Sequence, residues 1–283
     1  MAQLKQADVV IDMVRADAQL DITPIKAIGV GDFYKFRAHV GWLMNGGADD
    51  EYGYLFHSTQ QEFTANRCQA ALNARNRDKN RYANVLPYDF NRVLLPGDED
   101  FINGSYLLPD FDENGDEAKI GEIARQSCAY IATQGPKDNT SADFWRMLWT
   151  EHTYCVIMLG RHIENNMIKF FHYWPEDEMI ESGEFQIKPA GEVKYDEFVK
   201  RAYIFTRIHK GKSESRVLLH FLFTSFPDHG IPATTSGFLR LIELAELETR
   251  KRHAIDNPDK PDSRAPPIVV HCSAGLGRTG VYC

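Results

Sequence analysis

The chain lacks the cysteine patterns that indicate a disulfide framework or a zinc site. Its cysteines are odd in number, scattered, and nowhere arranged as Cys-x-x-Cys. They are Cys68, Cys128, Cys155, Cys272 and Cys283. Scattered cysteines of this kind are typical of proteins that work in a reducing compartment. We therefore expect free thiols, no structural metal and a cytoplasmic location.

Long apolar runs and an excess of positive charge are also missing. No stretch approaches about 18 uncharged apolar residues, and acids interrupt the region where a signal peptide has its apolar core. Lys+Arg total 32 against 40 Asp+Glu, which gives a net charge of -8. Because a general polyanion binder needs a basic face, nucleic acid is not an expected partner. The chain is expected to be cytoplasmic, or the cytoplasmic part of a longer protein, with no membrane segment of its own.

What the chain does contain is an interspersed set of strand and helix patterns. Apolar, β-rich runs recur at 129–133, 154–159, 217–224 and 267–271, and helical patterns cover 142–150 and 237–253. This order predicts a mixed α/β fold, a twisted central mixed sheet flanked by helices. Two further helical runs precede a break at Asn45-Gly46-Gly47. They predict an N-terminal helical extension over 1–50, followed by one domain over 51–283.

The candidate site is a glycine-rich loop that follows the last predicted strand. The apolar residues 268–270 run directly into HCSAGLGRTG at residues 271–280. A strand that enters such a segment turns successive backbone N–H groups around a concavity that suits an anion. Cys272 opens the loop, where nearby positive charge and aligned N–H groups favour the nucleophilic thiolate. Arg278 closes it with a guanidinium that can bind two phosphoryl oxygens at once.

This loop can supply both a nucleophile and a phosphate cradle. The cradle consists of Ser273, Ala274, Gly275, Leu276, Gly277 and Arg278. Thr279 adds a hydroxyl suited to stabilise the thiolate when it leaves, and His271 is expected to favour that thiolate. Two other interpretations exist: a buried structural cysteine, or a dinucleotide site with the pattern G-x-G-x-x-G at 275–280. The second also requires an acid about 20 residues further on, and the chain ends before that position.

Six segments, in order along the chain, resemble the cysteine-dependent protein tyrosine phosphatases. They are KNRYANVLPYD at 79–89, DFINGS at 100–105, YIATQGP at 130–136, FWRMLW at 144–149, FPDHGIP at 226–232 and the loop at 271–280. Together they cover the chain from about residue 56 to its end. The resemblance implies hydrolysis of phosphotyrosine in proteins through a cysteinyl-phosphate intermediate, with no metal and no cofactor. The stretch 21–44 faintly resembles the helical lead-in of receptor-type members, so a membrane-bound parent is compatible with the sequence.

The same resemblance assigns roles to residues outside the loop. Asp228 is the implied general acid, which protonates the leaving tyrosine oxygen and then acts as base towards water. Tyr82 is implied to wall the pocket and stack on the substrate ring. Glu164 is implied to pair with Arg278 and orient it. A second acid, Asp177 in WPED, fits the Tyr-Trp-Pro core segment of the family, so the acid role goes to Asp228.

Two residues depart from the family pattern. Asn84 stands where an aspartate commonly holds the substrate backbone, and Phe226 replaces the usual tryptophan of the acid loop, which removes an indole N–H. These departures favour an alternative, a phosphotyrosine-binding or scaffold pseudophosphatase with little turnover. Family members also continue beyond the active-site loop with helices that cover the sheet, whereas this sequence ends at Cys283. We expect a fold incomplete at the C-terminus, in a fragment or truncated product with little activity.

Overall fold

The computed structural model of the protein describes residues 67–107, 122–123, 125–226, 232, 235–261 and 263–283. The predicted helical extension over 1–50 and the predicted acid Asp228 lie outside the described residues. The boundary expected at residue 51 lies there too, so the division of the chain into an extension and a domain stays a prediction.

A nine-stranded mixed sheet forms the centre of the described part. Its strands are β1 (Arg92–Leu94), β2 (Phe101–Tyr106), β3 (Tyr130–Thr133), β4 (Cys155–Leu159), β7 (Ile180–Ser182), β8 (Phe185–Lys194), β9 (Phe198–His209), β10 (Lys212–Phe223) and β11 (Ile268–His271). The strands between β4 and β7, β5 (Ile163–Glu164) and β6 (Met167–Ile168), form a separate hairpin. The nine strands of the sheet lie in the order β1-β2-β3-β11-β4-β10-β9-β8-β7. The inner strands β3, β11, β4 and β10 run parallel, and the outer pairs are antiparallel. The predicted mixed α/β fold is confirmed.

Helices cover both faces of the inner strands. They are α1 (Gln69–Leu72), α2 (Ser141–Thr150), α3 (Ser236–Asp256) and α4 (Gly277–Tyr282), with 3₁₀ turns at Arg77–Lys79 and Asp138–Thr140. Every residue of β4 is buried, as expected for a parallel strand covered on both sides. Val156 belongs to the apolar cluster that contains α2, and Ile157 to the cluster that contains α3. Successive side chains of one strand therefore anchor helices on opposite faces of the sheet.

Helix α3 is amphipathic, and the character of its buried stripe changes along its length. Its first half buries Phe238, Leu241 and Leu244, spaced three residues apart on one face. Its second half buries polar side chains, including Glu248, whose carboxylate lies 3.7 Å from the equally buried Lys200 of β9. The helix is thus held to the sheet by apolar packing at one end and by a buried ion pair at the other.

The antiparallel side of the sheet was predicted only in part. The pattern at 217–224 indicated the apolar half of β10, whereas β10 begins at Lys212 and pairs along its whole length with β9. A turn at Lys210-Gly211, where both residues have positive φ (50° and 76°), joins the two strands. Such a two-residue turn fits the right-handed twist of a β-hairpin. The polar residues that follow it conceal the strand from a search for apolar runs.

The parallel strands place the site. Their carboxyl ends meet at one edge of the sheet, where ligands bind in open α/β folds. Beyond these ends lie Gln134 after β3, Gly160 after β4, Phe226 after β10 and Cys272 after β11. Four chain segments that are distant in sequence therefore converge on one edge.

Among the helices of the described ranges, none is long and apolar enough to cross a membrane.

Candidate active site

The cysteine loop is packed closely against the end of the neighbouring strand β3. Cys272, directly after β11, is buried, with 4% of its surface exposed. The backbone N–H of Gly135 donates to the carbonyl oxygen of Ser273 at 3.0 Å. Gly275 adopts φ +75°, and a Cβ there would collide with the backbone carbonyl of Thr133. Glycine is therefore required at this position both by its conformation and by the close approach of the strand.

Arg278 is held by Glu164 in a two-point ion pair. Its Nη1 donates to Oε1 at 2.6 Å and its Nη2 donates to Oε2 at 3.0 Å. The carboxylate is itself fixed, because Oε1 also accepts from the backbone N–H of Arg161 at 2.9 Å. Both side chains are largely buried, at 8% and 12% exposure. The resemblance predicted this pair, and the two residues lie together as it implied.

Gly160 makes room for this ion pair. It has φ +103°, and a Cβ there would overlap Nη1 of Arg278 and come within 2.6 Å of Oε1 of Glu164. Sequence reasoning missed this residue, although its signal was visible: it is a glycine that directly follows a fully buried strand. Its lack of a side chain allows the guanidinium to lie against the backbone.

Gly160→Ala is expected to lower kcat/KM for an aryl phosphate by about 10–100-fold, since a displacement of about 1 Å in a positioning group can lower the rate a hundredfold. Gly97→Ala is the matched control, because Gly97 has φ +94° and no atom lies within 4 Å of its Cβ position. Both variants carry the same backbone strain, of about 1–2 kcal/mol. Equal loss of activity in the two would contradict a specific role for Gly160. Thermal melting measures the loss of stability, and steady-state kinetics measure the loss of activity.

The loop that carries Tyr82 is fixed to the chain beyond β3. The guanidinium of Arg81 donates to the carbonyl oxygens of Gly135 at 3.1 Å and Pro136 at 2.8 Å. The backbone N–H of Arg81 donates to the side chain of Gln134 at 2.8 Å. These contacts hold the neighbouring Tyr82 at a fixed height above the cysteine loop.

Tyr82 contacts the cysteine loop directly. Its hydroxyl lies 2.9 Å from Oγ of Ser273, which in turn donates to the carbonyl oxygen of Lys169 at 3.0 Å. The ring remains 39% exposed, so one face is available to a ligand. Asn84, two residues further on, is exposed on the same loop. The structure thus brings Tyr82 and the cysteine loop together, and their substrate-binding roles stay predictions.

His271 is part of a buried hydrogen-bonded chain that sequence reasoning did not find. Its Nδ1 donates to the carbonyl oxygen of Cys272 at 3.1 Å, and its Nε2 lies 2.7 Å from the hydroxyl of Tyr173. That hydroxyl also lies 3.0 Å from Nε2 of His220. Burial lowers the pKa of His271 to about 4, so the ring is neutral at neutral pH. Any support of the thiolate must therefore act through the hydrogen bond, because the ring carries no positive charge.

The hydroxyl of Thr279 is a further group that could take part in the chemistry of the site. Thr279 is fully buried, and its hydroxyl has no hydrogen-bond partner among the residues that the structure describes. A hydroxyl in this condition is free to donate to a group that arrives or develops charge in the site.

Burial raises the thiol pKa of Cys68 and Cys128 to about 11 and that of Cys155 to about 12. These three thiols are protonated at neutral pH and are poor nucleophiles.

The two candidate acids follow different segments of the described chain. The segment that carries Asp228 is described up to Phe226, which is buried and packs against Phe238 of α3 with ring centroids 5.6 Å apart. The carbonyl oxygen of Phe226 accepts from Nη1 of Arg278 at 3.4 Å. Asp177 is exposed, and the preceding Trp174 is buried in a stack on the ring of His172. The Trp-Pro segment before Asp177 is therefore part of the core.

A model of the family described as protein-tyrosine phosphatase matches residues 76–283. The chain belongs to this family, and the resemblance drawn from its motifs is confirmed. The chain is similar to the human receptor-type tyrosine-protein phosphatase eta, with 38% identity over 217 residues that cover 75% of this chain and 14% of the relative. It is also similar to the mouse tyrosine-protein phosphatase non-receptor type 4, with 38% identity over 210 residues that cover 73% of this chain and 20% of the relative. It thus spans between 14% and 20% of the length of these curated relatives.

Proposed function

We propose that the protein hydrolyses phosphotyrosine in proteins through a cysteinyl-phosphate formed on Cys272. The observation that carries this proposal is the two-point pair between Arg278 and Glu164 at the mouth of the cysteine loop. It fixes the orientation of a guanidinium beside the cysteine loop, as recognition of a phosphoryl group requires. The family match favours this enzyme over a phosphotyrosine-binding scaffold with little turnover.

The first step forms a bond between Sγ of Cys272 and phosphorus, and breaks the bond between phosphorus and the tyrosine oxygen. Asp228 gives its proton to that oxygen, so a neutral tyrosine leaves. Arg278 and the backbone N–H groups from Ser273 to Gly277 stabilise the charge on the three equatorial oxygens. Each of these roles uses a group that the chain itself provides.

In the second step water attacks phosphorus, and the bond between phosphorus and sulfur breaks. Asp228, now a carboxylate, accepts the proton of the water, so inorganic phosphate leaves and the thiolate is regenerated. The unpartnered hydroxyl of Thr279 is a suitable donor to that thiolate. The cycle restores the enzyme and consumes one water, because Asp228 loses a proton to tyrosine and regains one from the attacking water.

The depth of the pocket determines which phosphate esters react. Tyr82 forms a rim above the loop, with its hydroxyl 2.9 Å from Oγ of Ser273, and Cys272 lies buried below. The long side chain of phosphotyrosine reaches the thiol and can stack on the ring of Tyr82. Phosphoserine is too short to bring its phosphate to the thiol past this rim.

Phosphate release from two peptides of the same sequence, one with phosphotyrosine and one with phosphoserine, tests this function. The full-length protein should have a kcat/KM for the phosphotyrosine peptide at least about 100-fold higher, because the serine ester cannot adopt the attack geometry. Tyr82→Ala should reduce this preference, whereas Tyr88→Ala, a change on the same chain segment outside the loop, should preserve it. Equal turnover of the two peptides would refute the proposed selectivity.

The proposed place of action is the cytoplasm. The free cysteines of the chain are typical of a reducing compartment. Phosphotyrosine-containing proteins are the proposed partners, and we infer that the domain acts on them in the cytoplasm, alone or as the cytoplasmic region of a receptor-type parent.

A further inference from the structure

A small hairpin borders the cysteine loop. It consists of β5 (Ile163–Glu164) and β6 (Met167–Ile168). Asn165 and Asn166 connect the two strands with φ values of 52° and 60°. Asparagine tolerates this left-handed conformation, and two such residues form the tight turn that favours a hairpin. The local sequence therefore specifies the register of the hairpin.

That register decides which side chains face the active site. Glu164 is paired with Met167, and Ile163 with Ile168. Paired residues of a hairpin share a face, and their Cβ atoms lie about 4.5–5.5 Å apart. Since Glu164 reaches Arg278, Met167 lies next to it on the side of the phosphate site. Ile163 and Ile168 occupy the opposite face of the hairpin.

The hairpin is held in this position at both ends. Glu164 is fixed by its two bonds to Arg278, and Lys169, directly after β6, accepts the hydrogen bond from Oγ of Ser273. The backbone N–H of Lys169 donates to the carbonyl oxygen of His162 at 2.7 Å. Met167 is thus displayed from a fixed backbone, with 57% of its surface exposed.

Met167 extends an apolar border around the proposed phosphate pocket. Two exposed apolar side chains on other elements of the described site are Tyr82, at 39%, and Leu276, at 65%. Methionine is flexible and polarisable, so it adapts to apolar groups of different shape. A charged group placed against it would lose water without gaining a partner.

We propose that Met167 is a specificity-determining residue that contacts an apolar side chain close to the phosphotyrosine of the substrate. This inference rests on the proposed function and adds the chemical class of the substrate: a phosphotyrosine with an aliphatic or aromatic neighbour. Contact with Met167 buries apolar surface that both partners otherwise expose to water.

The test compares phosphotyrosine peptides that carry leucine, serine or glutamate at each position flanking the phosphotyrosine. For the full-length protein, kcat/KM should be about fivefold higher with leucine than with serine at one position, less than the 10–200-fold typical of an enclosed pocket. Glutamate should be worse than serine at that position. Met167→Ser should bring the leucine-to-serine ratio close to one, and Met167→Leu should restore it. An unchanged ratio in Met167→Ser would overturn the proposal.

Ile168→Ser is the matched control. Ile168 is the next residue in the hairpin and more exposed, at 71%, but it lies on the opposite face. Its replacement by serine should leave the leucine-to-serine ratio unchanged. Equal loss of the ratio in both variants would show that the hairpin as a whole, rather than Met167, determines the preference, and would also overturn the proposal.

Binding measurements separate this inference from the proposed function. The dissociation constants of the same peptides are measured with Cys272→Ser and with Cys272→Ser combined with Met167→Ser. If the protein releases no phosphate but the leucine preference in binding depends on Met167, the proposed hydrolysis is wrong and the role of Met167 stands. If the protein releases phosphate with no preference that depends on Met167, only the inference about Met167 is wrong.

Discussion

Cys272→Ser is expected to lower hydrolysis of an aryl phosphate by about 10⁴-fold or more, the scale of effect that removal of a nucleophile has in other covalent enzymes. Serine keeps the shape of the side chain, but its hydroxyl is far less acidic than a thiol and remains protonated here. The proposed phosphate cradle consists of backbone N–H groups and Arg278, both of which the substitution leaves in place. Phosphopeptide binding should therefore persist while turnover is lost.

Single-turnover kinetics measure the loss of turnover, and equilibrium binding of a phosphotyrosine peptide measures the retained affinity. Cys68→Ala is a suitable control, because Cys68 is buried elsewhere and its thiol makes only a long contact of 4.0 Å to the carbonyl oxygen of Leu86, so alanine leaves no buried hydroxyl unsatisfied. Its activity should stay close to that of the parent. Residual turnover in Cys272→Ser above about a hundredth of the parent rate would contradict the nucleophile assignment, since the buried thiols of Cys68, Cys128 and Cys155 are poor nucleophiles.

The features that the sequence predicts without knowledge of the fold are local ones. A run of apolar residues entering a glycine-rich segment with cysteine and arginine at its two ends predicts a strand, an anion cradle and a nucleophile together. All of these depend on residues within about ten positions of each other, so pattern and chemistry can be judged without knowing the fold. The same holds for α2 and α3, whose predicted bounds of 142–150 and 237–253 lie within three residues of those observed.

The contacts that complete the site are long-range, and no pattern in the residues predicts them. Glu164 and Arg278 are 114 positions apart, and Tyr82 and Ser273 are 191 positions apart. Without the family resemblance, Glu164 is an ordinary loop acid and Tyr82 an exposed ring beside an arginine. Only the parallel arrangement of the inner strands brings these segments to one edge of the sheet. Gly160 carries a visible signal, because it directly follows a buried strand, but its importance depends on a side chain that approaches from α4.

The outer strands escaped prediction for a different reason. β8 includes Pro189, which interrupts its pairing with β9, so the register shifts between Pro189 and Gly191. A proline inside an apparent strand argues against a strand unless it lies at a bulge or an edge. β8 also alternates between buried and exposed residues only in its first half. Periodicity is therefore too short there to distinguish a strand from a loop.

Asp228→Ala is expected to lower kcat by about 10²–10⁴-fold, the usual contribution of a positioned general acid. The described chain leads to this residue from a fixed point, since Phe226 is buried against Phe238 and its carbonyl oxygen accepts from Arg278. The motive for the assignment itself is the family resemblance, which implies this role for the aspartate of the FPDHGIP segment.

Asp177→Ala is the control, because it removes the competing aspartate that follows the Trp174-Pro175 pair. Asp177 is exposed and follows a core segment in which Trp174 is 5% exposed, so its loss should leave kcat within about twofold of the parent, as expected for a surface change. A substrate with a good leaving group sharpens the comparison: it needs little protonation, so Asp228→Ala should be much less impaired with it than with a phosphotyrosine peptide. If Asp177→Ala is the crippled variant, or if Asp228→Ala loses activity equally on both substrates, Asp228 is not the general acid.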